Sequence, residues 1–113
     1  MITAAAVVDD RLCLVRLDID GHAGFADSGS DIVCSAVSVL VRTAGRLLLS
    51  QLNNDCDFDS DGKGSFKLMV LKISDGKRDW MSGITEFLLN GLSDLEKDYP
   101  AFVKLEITMD EEK

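Results

Sequence analysis

The chain opens on two short runs of apolar residues separated by a polar break. Met1–Val8 is apolar and β-branched, Asp9-Asp10 is polar, and Arg11–Ile19 alternates with Cys13, Val15, Leu17 and Ile19 on one side. Period two of this kind predicts a β-hairpin. Asp20–Ser30 follows with Gly21, Gly24, Gly29 and no apolar period, which predicts a mobile loop. From Asp31 to about Leu52 the spacing changes: Val33, Ala36, Val37, Leu40 and Ala44 recur at helical intervals. The run is too long for a strand, and Ser30 or Asp31 suits its N-cap. Asp55–Asp59 and Ser65–Ile73 read as a second hairpin around the turn Ser60-Asp61-Gly62-Lys63-Gly64. Ser74-Asp75 then caps a second helix, whose stripe is Trp80, Ile84, Phe87, Leu88, Gly91 and Leu95. Tyr99-Pro100 ends it. Phe102–Met109 alternates again, with Val103, Leu105, Ile107 and Met109 set against Lys104, Glu106 and Thr108. The order β-β-α-β-β-α-β predicts one α+β domain over residues 1–113, two helices packed on one sheet.

Composition narrows the function more than the fold. The 113 residues are 46% hydrophobic and 28% charged, enough for one compact core. Twelve basic against twenty acidic residues leave a formal charge of −8 and a pI near 4.4. That balance argues against direct nucleic-acid binding, which needs clustered Lys and Arg. It suits a partner that is itself basic. The longest apolar stretch, Ile32–Val41, is ten residues with two serines, short of a membrane span. Acidic residues follow at once at Asp9-Asp10, unlike a signal peptide, so a cytoplasmic protein without membrane contact is expected.

Cys13, Cys34 and Cys56 are an odd number separated by 21 and 22 residues, with a single histidine elsewhere. Neither a disulfide framework nor a zinc site fits such spacing. Cys13 and Cys56 sit in alternating apolar contexts and read as core residues. Asp57-Phe58-Asp59-Ser60-Asp61-Gly62 opens like a calcium loop, but its twelfth position is Leu68 rather than Glu, and its flanks read as strands. An acidic turn is expected instead. Gly21-His22-Ala23-Gly24 lacks both phosphate-loop patterns, and no lysine precedes Lys63. No metal or organic cofactor is implied.

His22 and Cys34 remain. Cys34 is expected in the first turn of the first helix, where dipole and free N–H groups favour thiolate and could hold an oxyanion. A nearby imidazole would accept the thiol proton. On chemistry alone such a pair is more often a buried cysteine and a loop histidine.

Two segments together alter that balance. Gly21-His22-Ala23-Gly24, followed by Asp31-Ile32-Val33-Cys34-Ser35-Ala36-Val37-Ser38, closely resembles the signature of the bacterial ribosomal-processing cysteine proteases, the Prp family. The likeness continues through the N-terminal hairpin, the two helices and the closing Tyr99–Glu106 segment; Ser35 departs from the family's usual Ala. The resemblance implies a cysteine endopeptidase with Cys34 as nucleophile and His22 as general base. It implies removal of the N-terminal extension of large-subunit ribosomal protein twenty-seven, and a homodimer whose catalytic loop, about residues 21–33, is flexible. Asp31 and Ser38 occupy further motif positions. Asp31 either caps the helix or orients the imidazole, a task for which Asp27 is a weaker candidate. Ser38 either hydrogen-bonds near the site or bonds back to the Cys34 backbone. Phe25, with Gly21 and Ala23, is expected to meet the substrate, and Ile32 and Val33 would line the cleft or fill the core. The rival readings are a non-catalytic ribosome-assembly module that binds a basic ribosomal protein, and a thiol-dependent transferase or redox protein. The absence of a nearby resolving cysteine counts against the last.

Overall fold

A computed structural model describes residues 1–21, 28–61 and 64–110, with the side chains of 28–31 outside the description. Five strands, β1 (Ile2–Val8), β2 (Leu14–Asp20), β3 (Cys56–Ser60), β4 (Phe66–Val70) and β5 (Val103–Met109), form one sheet of order β3-β4-β2-β1-β5. Helix α1 (Ser28–Leu52) links β2 to β3, and α2 (Arg78–Asp98) links β4 to β5. The element order is the expected one, and the domain is α+β. Pairing is antiparallel throughout except between β1 and β5, which run parallel.

Both helices lie on one face, where period two puts Ile2, Ala4, Ala6 and Val8 of β1 and Phe66, Leu68 and Val70 of β4 into the core. The alanines at the middle of β1 leave room for the helices that cover it. Helix α1 contributes Val33, Val37, Val41, Ala44, Leu48 and Leu52 at helical spacing. Ile32–Asp55 is long and apolar enough to cross a membrane by length and composition, which a search for unbroken apolar runs overlooks. Here its core stripe packs on the sheet. At Gly45, an added Cβ would sit 2.6 Å from the Phe58 ring, so α1 meets β3 at glycine contact. Phe58 in turn stacks on Phe66 at 6.1 Å.

Four details depart from the sequence reading. First, Val8 pairs with Leu14 while Val7 pairs with Arg16, so Val15 is a β-bulge. The bulge turns Leu14 into the core and leaves Val15 half-buried, where plain alternation puts Val15 inside. Second, the core line of α2 is Met81, Thr85, Leu88 and Leu92. Phe87 is 72% exposed and Trp80, Ile84 and Leu95 are only partly covered. Apolarity alone misses this phase because Thr85 is polar; its hydroxyl accepts the buried Leu14 N–H at 3.0 Å. Third, Val103 is buried, but Ile107 and Met109 are half exposed, since β5 is an edge strand with an open groove between Ile107 and Leu89 of α2. Fourth, α1 begins at Ser28 rather than Asp31.

Candidate active site

The earlier start of α1 changes the chemistry expected at Cys34. Cys34 is the seventh residue of the helix, past the four amides that lack intrahelical partners. The expectation of a first-turn thiol bathed by free N–H groups is therefore corrected, and activation falls to a side chain. Asp31 is the fourth helical residue, not its N-cap, and an acidic residue there complements the helix dipole. Of the expected loop at about 21–33, residues 28–33 are helical. His22, Ala23, Phe25 and Asp27 lie outside the described residues.

Cys34 is half-buried and free, on the flank of α1 that faces the ends of β1, β2 and β4. With Gly21, Ser38, Gly64 and Phe66 it lines a pocket of about 20 Å³, room for one water-sized group. Ser38 reaches this pocket because it stands one turn after Cys34 on the same helix face. Gly21 reaches it because β2 ends there. Its φ of 88° lies in the left-handed region, and an ideal Cβ would fall 2.3 Å from the Met1 carbonyl oxygen. Only glycine passes that point. Its N–H donates to Asp20 Oδ1 at 2.8 Å, and the Ser65 hydroxyl donates to the same oxygen at 3.2 Å. One carboxylate thus binds the exit of β2 to the β3–β4 turn.

The structure therefore brings Gly21, Cys34 and Ser38 together. Val33, at 0% exposure, belongs to the core and not to a cleft, while Ile32 is exposed. Gly64 and Phe66 also line the pocket and were not singled out in the sequence. The usable signal was Gly64, whose φ of 104° follows from its place at the turn before β4. Asp57 and Asp59 sit on β3, and Asp61 closes the hairpin by accepting the Ser65 N–H at 3.1 Å. The strand flanks agree with an acidic turn. A separate concavity is lined by Asp18, Asp20, Asp59 and Asp61, with Arg16 and Lys67, the positions of β2, β3 and β4 that alternate with the core-facing ones. Arg16 is paired with Asp18 at 2.6 Å.

The other two thiols are placed differently. Cys13 and Cys56 are buried in the core. Burial pushes the Cys56 thiol up, and the neighbouring Asp57 and Asp55 carboxylates push it further. Neither is placed as a nucleophile.

Comparison with known proteins agrees with this geometry. The family model described as cysteine protease Prp matches residues 1–104. The ribosomal processing cysteine protease Prp of Staphylococcus aureus is 29% identical over 107 residues, covering 93% of this chain and 97% of the relative. Among solved structures, SMU.848 from Streptococcus mutans superposes with a TM-score of 0.77 at 28% identity, covering 97% of this chain and 96% of the other. S. aureus Prp with a covalently linked product peptide gives 0.75 at 25% identity, over 95% and 99% of the two chains.

Proposed function

Because the chain belongs to the cysteine protease Prp family, and so is a cysteine protease, we propose that it acts through a Cys34–His22 dyad on a ribosomal protein bearing an N-terminal extension. The substrate of this reading is large-subunit ribosomal protein twenty-seven. The observation that carries it is the meeting of Gly21, Cys34 and Ser38 at one pocket. His22 follows directly on Gly21 in the sequence, and Cys34 is the one half-buried thiol among the three, which supports assigning them as base and nucleophile.

In this reading His22 takes the Cys34 proton and the thiolate adds to the scissile carbonyl. The tetrahedral adduct collapses to a thioester as the imidazolium protonates the departing amine. Water, deprotonated by the same imidazole, attacks the thioester, and the released thiol regains its proton. Asp31, in the first turn, supports the helix that carries Cys34, and Ser38 hydrogen-bonds at the pocket. Phe25, Gly21 and Ala23 flank the substrate, and the acidic concavity receives a basic chain. The protein works in the cytoplasm, where its three thiols stay reduced, and as a homodimer.

The test is to incubate the protein with a peptide spanning the extension junction and weigh the products. Two fragments from the native protein and none from Cys34→Ala or His22→Ala are expected. An intact peptide with native protein, or cleavage surviving Cys34→Ala, overturns the reading.

A further inference from the structure

The Cys34 pocket stands where two strands part. β2 and β4 pair antiparallel from Arg16 with Met69 to Ile19 with Phe66, and the ladder ends there. Carried further, the same register sets Asp20 opposite Ser65 and Gly21 opposite Gly64. Both glycines have left-handed φ, 88° and 104°, and both line the pocket. Two bare backbones thus form facing walls, one from each side of the parting.

The backbone of Ser65 does not close the gap. Its N–H donates to Asp61 Oδ1 at 3.1 Å, and its carbonyl accepts the Asp61 N–H at 3.2 Å. Its hydroxyl is left to reach β2, and it donates to Asp20 Oδ1 at 3.2 Å. The same oxygen accepts the Gly21 N–H at 2.8 Å. An ionised carboxylate only accepts, so it takes both bonds with no donor of its own left to satisfy. One oxygen of Asp20 therefore spans the two walls just past the end of the ladder.

Both bonds are exposed, so water replaces them readily and the stability of the fold depends on them little. The placement they enforce matters more. The pocket between the walls holds about 20 Å³. Moving a reacting group by about 1 Å costs a reaction up to about a hundredfold.

We propose that Asp20 is a positioning residue for the proteolytic reaction: by holding Gly21 and Ser65 on one oxygen it fixes the width of the pocket, and with it the place of a bound carbonyl relative to the Cys34 thiol. The proposal rests on the reading of Cys34 as nucleophile. Two measurements on the full chain test it, each at a temperature where the variant keeps its native circular dichroism spectrum. In cleavage of the junction peptide, Asp20→Ala is expected to lower kcat about tenfold or more with KM changed less than about twofold. Asp20→Asn, whose Oδ1 still accepts both bonds, restores kcat to within about threefold of native. Ser65→Ala lowers kcat less than Asp20→Ala, and the two together are no worse than Asp20→Ala, since they act on one bond. In alkylation by iodoacetamide, Asp20→Ala opens the pocket and speeds labelling of Cys34 about threefold or more, while Cys13 and Cys56, which only wider unfolding exposes, keep their rates. Should Asp20→Ala lose its spectrum, Ser65→Ala carries both measurements, and native kcat with native labelling in it overturns the clasp. Native kcat in Asp20→Ala, or a loss confined to KM, overturns the positioning role and leaves the nucleophile in place. Asp20→Asn as slow as Asp20→Ala overturns the hydrogen-bonded clasp as its basis. A junction peptide left whole by native protein defeats the proposed substrate alone; native Cys34 labelling in Asp20→Ala then overturns the clasp. Cleavage surviving Cys34→Ala overturns the nucleophile and the positioning role together.

Discussion

Thr85 of α2 accepts a hydrogen bond from the backbone N–H of Leu14 at 3.0 Å, inside the core. The bond ties the helix to the strand beside its bulge, and it explains a polar residue that is only 3% exposed. Thr85→Val keeps the shape and strands the amide. It is expected to cost about 1–3 kcal/mol in urea unfolding, while Thr85→Ser keeps most of the stability. Equal losses for Val and Ser would show that packing, not the hydroxyl, matters there.

Asp9 organises the β1–β2 turn. Its Oδ1 accepts the Arg11 and Cys13 amides at 2.9 and 3.0 Å, and its Oδ2 accepts Arg78 at 2.6 Å. Burial pushes this carboxyl up, but the Arg78 guanidinium and the two amides outweigh it and hold it below its ordinary 3.8. A carboxyl with a depressed folded-state pKa stabilises above that ordinary value and loses its contribution as pH falls through the depressed one. Asp9→Asn is therefore expected to be less stable by about 1–3 kcal/mol at neutral pH. The gap should shrink once the medium is more acidic than the carboxyl's ordinary value. Denaturation midpoints that keep the same gap in acid would contradict the ion-pair origin.

Gly21→Ala forces a Cβ against the Met1 carbonyl and strains a left-handed backbone. It should cost about 1–3 kcal/mol of stability. Because the residue precedes His22, the variant should also lose about tenfold or more in kcat/KM at a temperature where it remains folded. Unchanged turnover would separate the β2 exit from the positioning of the base.

Alkylation separates the three thiols. Iodoacetamide is expected to label Cys34 first, since Cys13 and Cys56 are at 1% and 3% exposure and the Cys56 thiol is pushed up by burial and two carboxylates. Cys13→Ala and Cys56→Ala should keep cleavage in protein that folds, at some cost in stability. Faster labelling of Cys56 than Cys34, followed by peptide mass mapping, would refute this placement.

Salt distinguishes attraction from recognition. With a net charge of −8 and an acidic concavity on its sheet, the protein should cleave a whole basic ribosomal protein more slowly as salt rises. Cleavage of a short neutral junction peptide should change little. Parallel salt curves for the two substrates would remove the electrostatic contribution.

Much of this was legible in the chain, for identifiable reasons. An apolar β-branched run marked β1, alternation marked β2 and β5, and helical period marked α1 and α2. Cys13 and Val15 are equally apolar, so nothing local announced the bulge at Val15; Thr85 on a distant helix supports it. The start of α1 was hidden because Ser28, Gly29 and Ser30 are poor helix formers that read as loop. At the pocket, Gly21, Cys34 and Ser38 were visible as a local motif. Gly64 and Phe66 arrive from a turn some thirty residues later, and only the pairing of β4 with β2 brings them there.

The parallel ladder between β1 and β5 runs from Ile2 with Val103 to Val8 with Met109. Strand β1 thus finds this neighbour only after about a hundred further residues have been made. At about 5–20 residues per second, that delay is on the order of 5–20 s. Until then one side of β1 exposes unpaired N–H and C=O groups. Closing so long a loop is also slow, because its entropy is lost before the ladder forms. The nascent domain therefore completes its sheet only once Val103–Met109 has been made, and a chain stopped before Val103 carries an open edge along its most apolar strand.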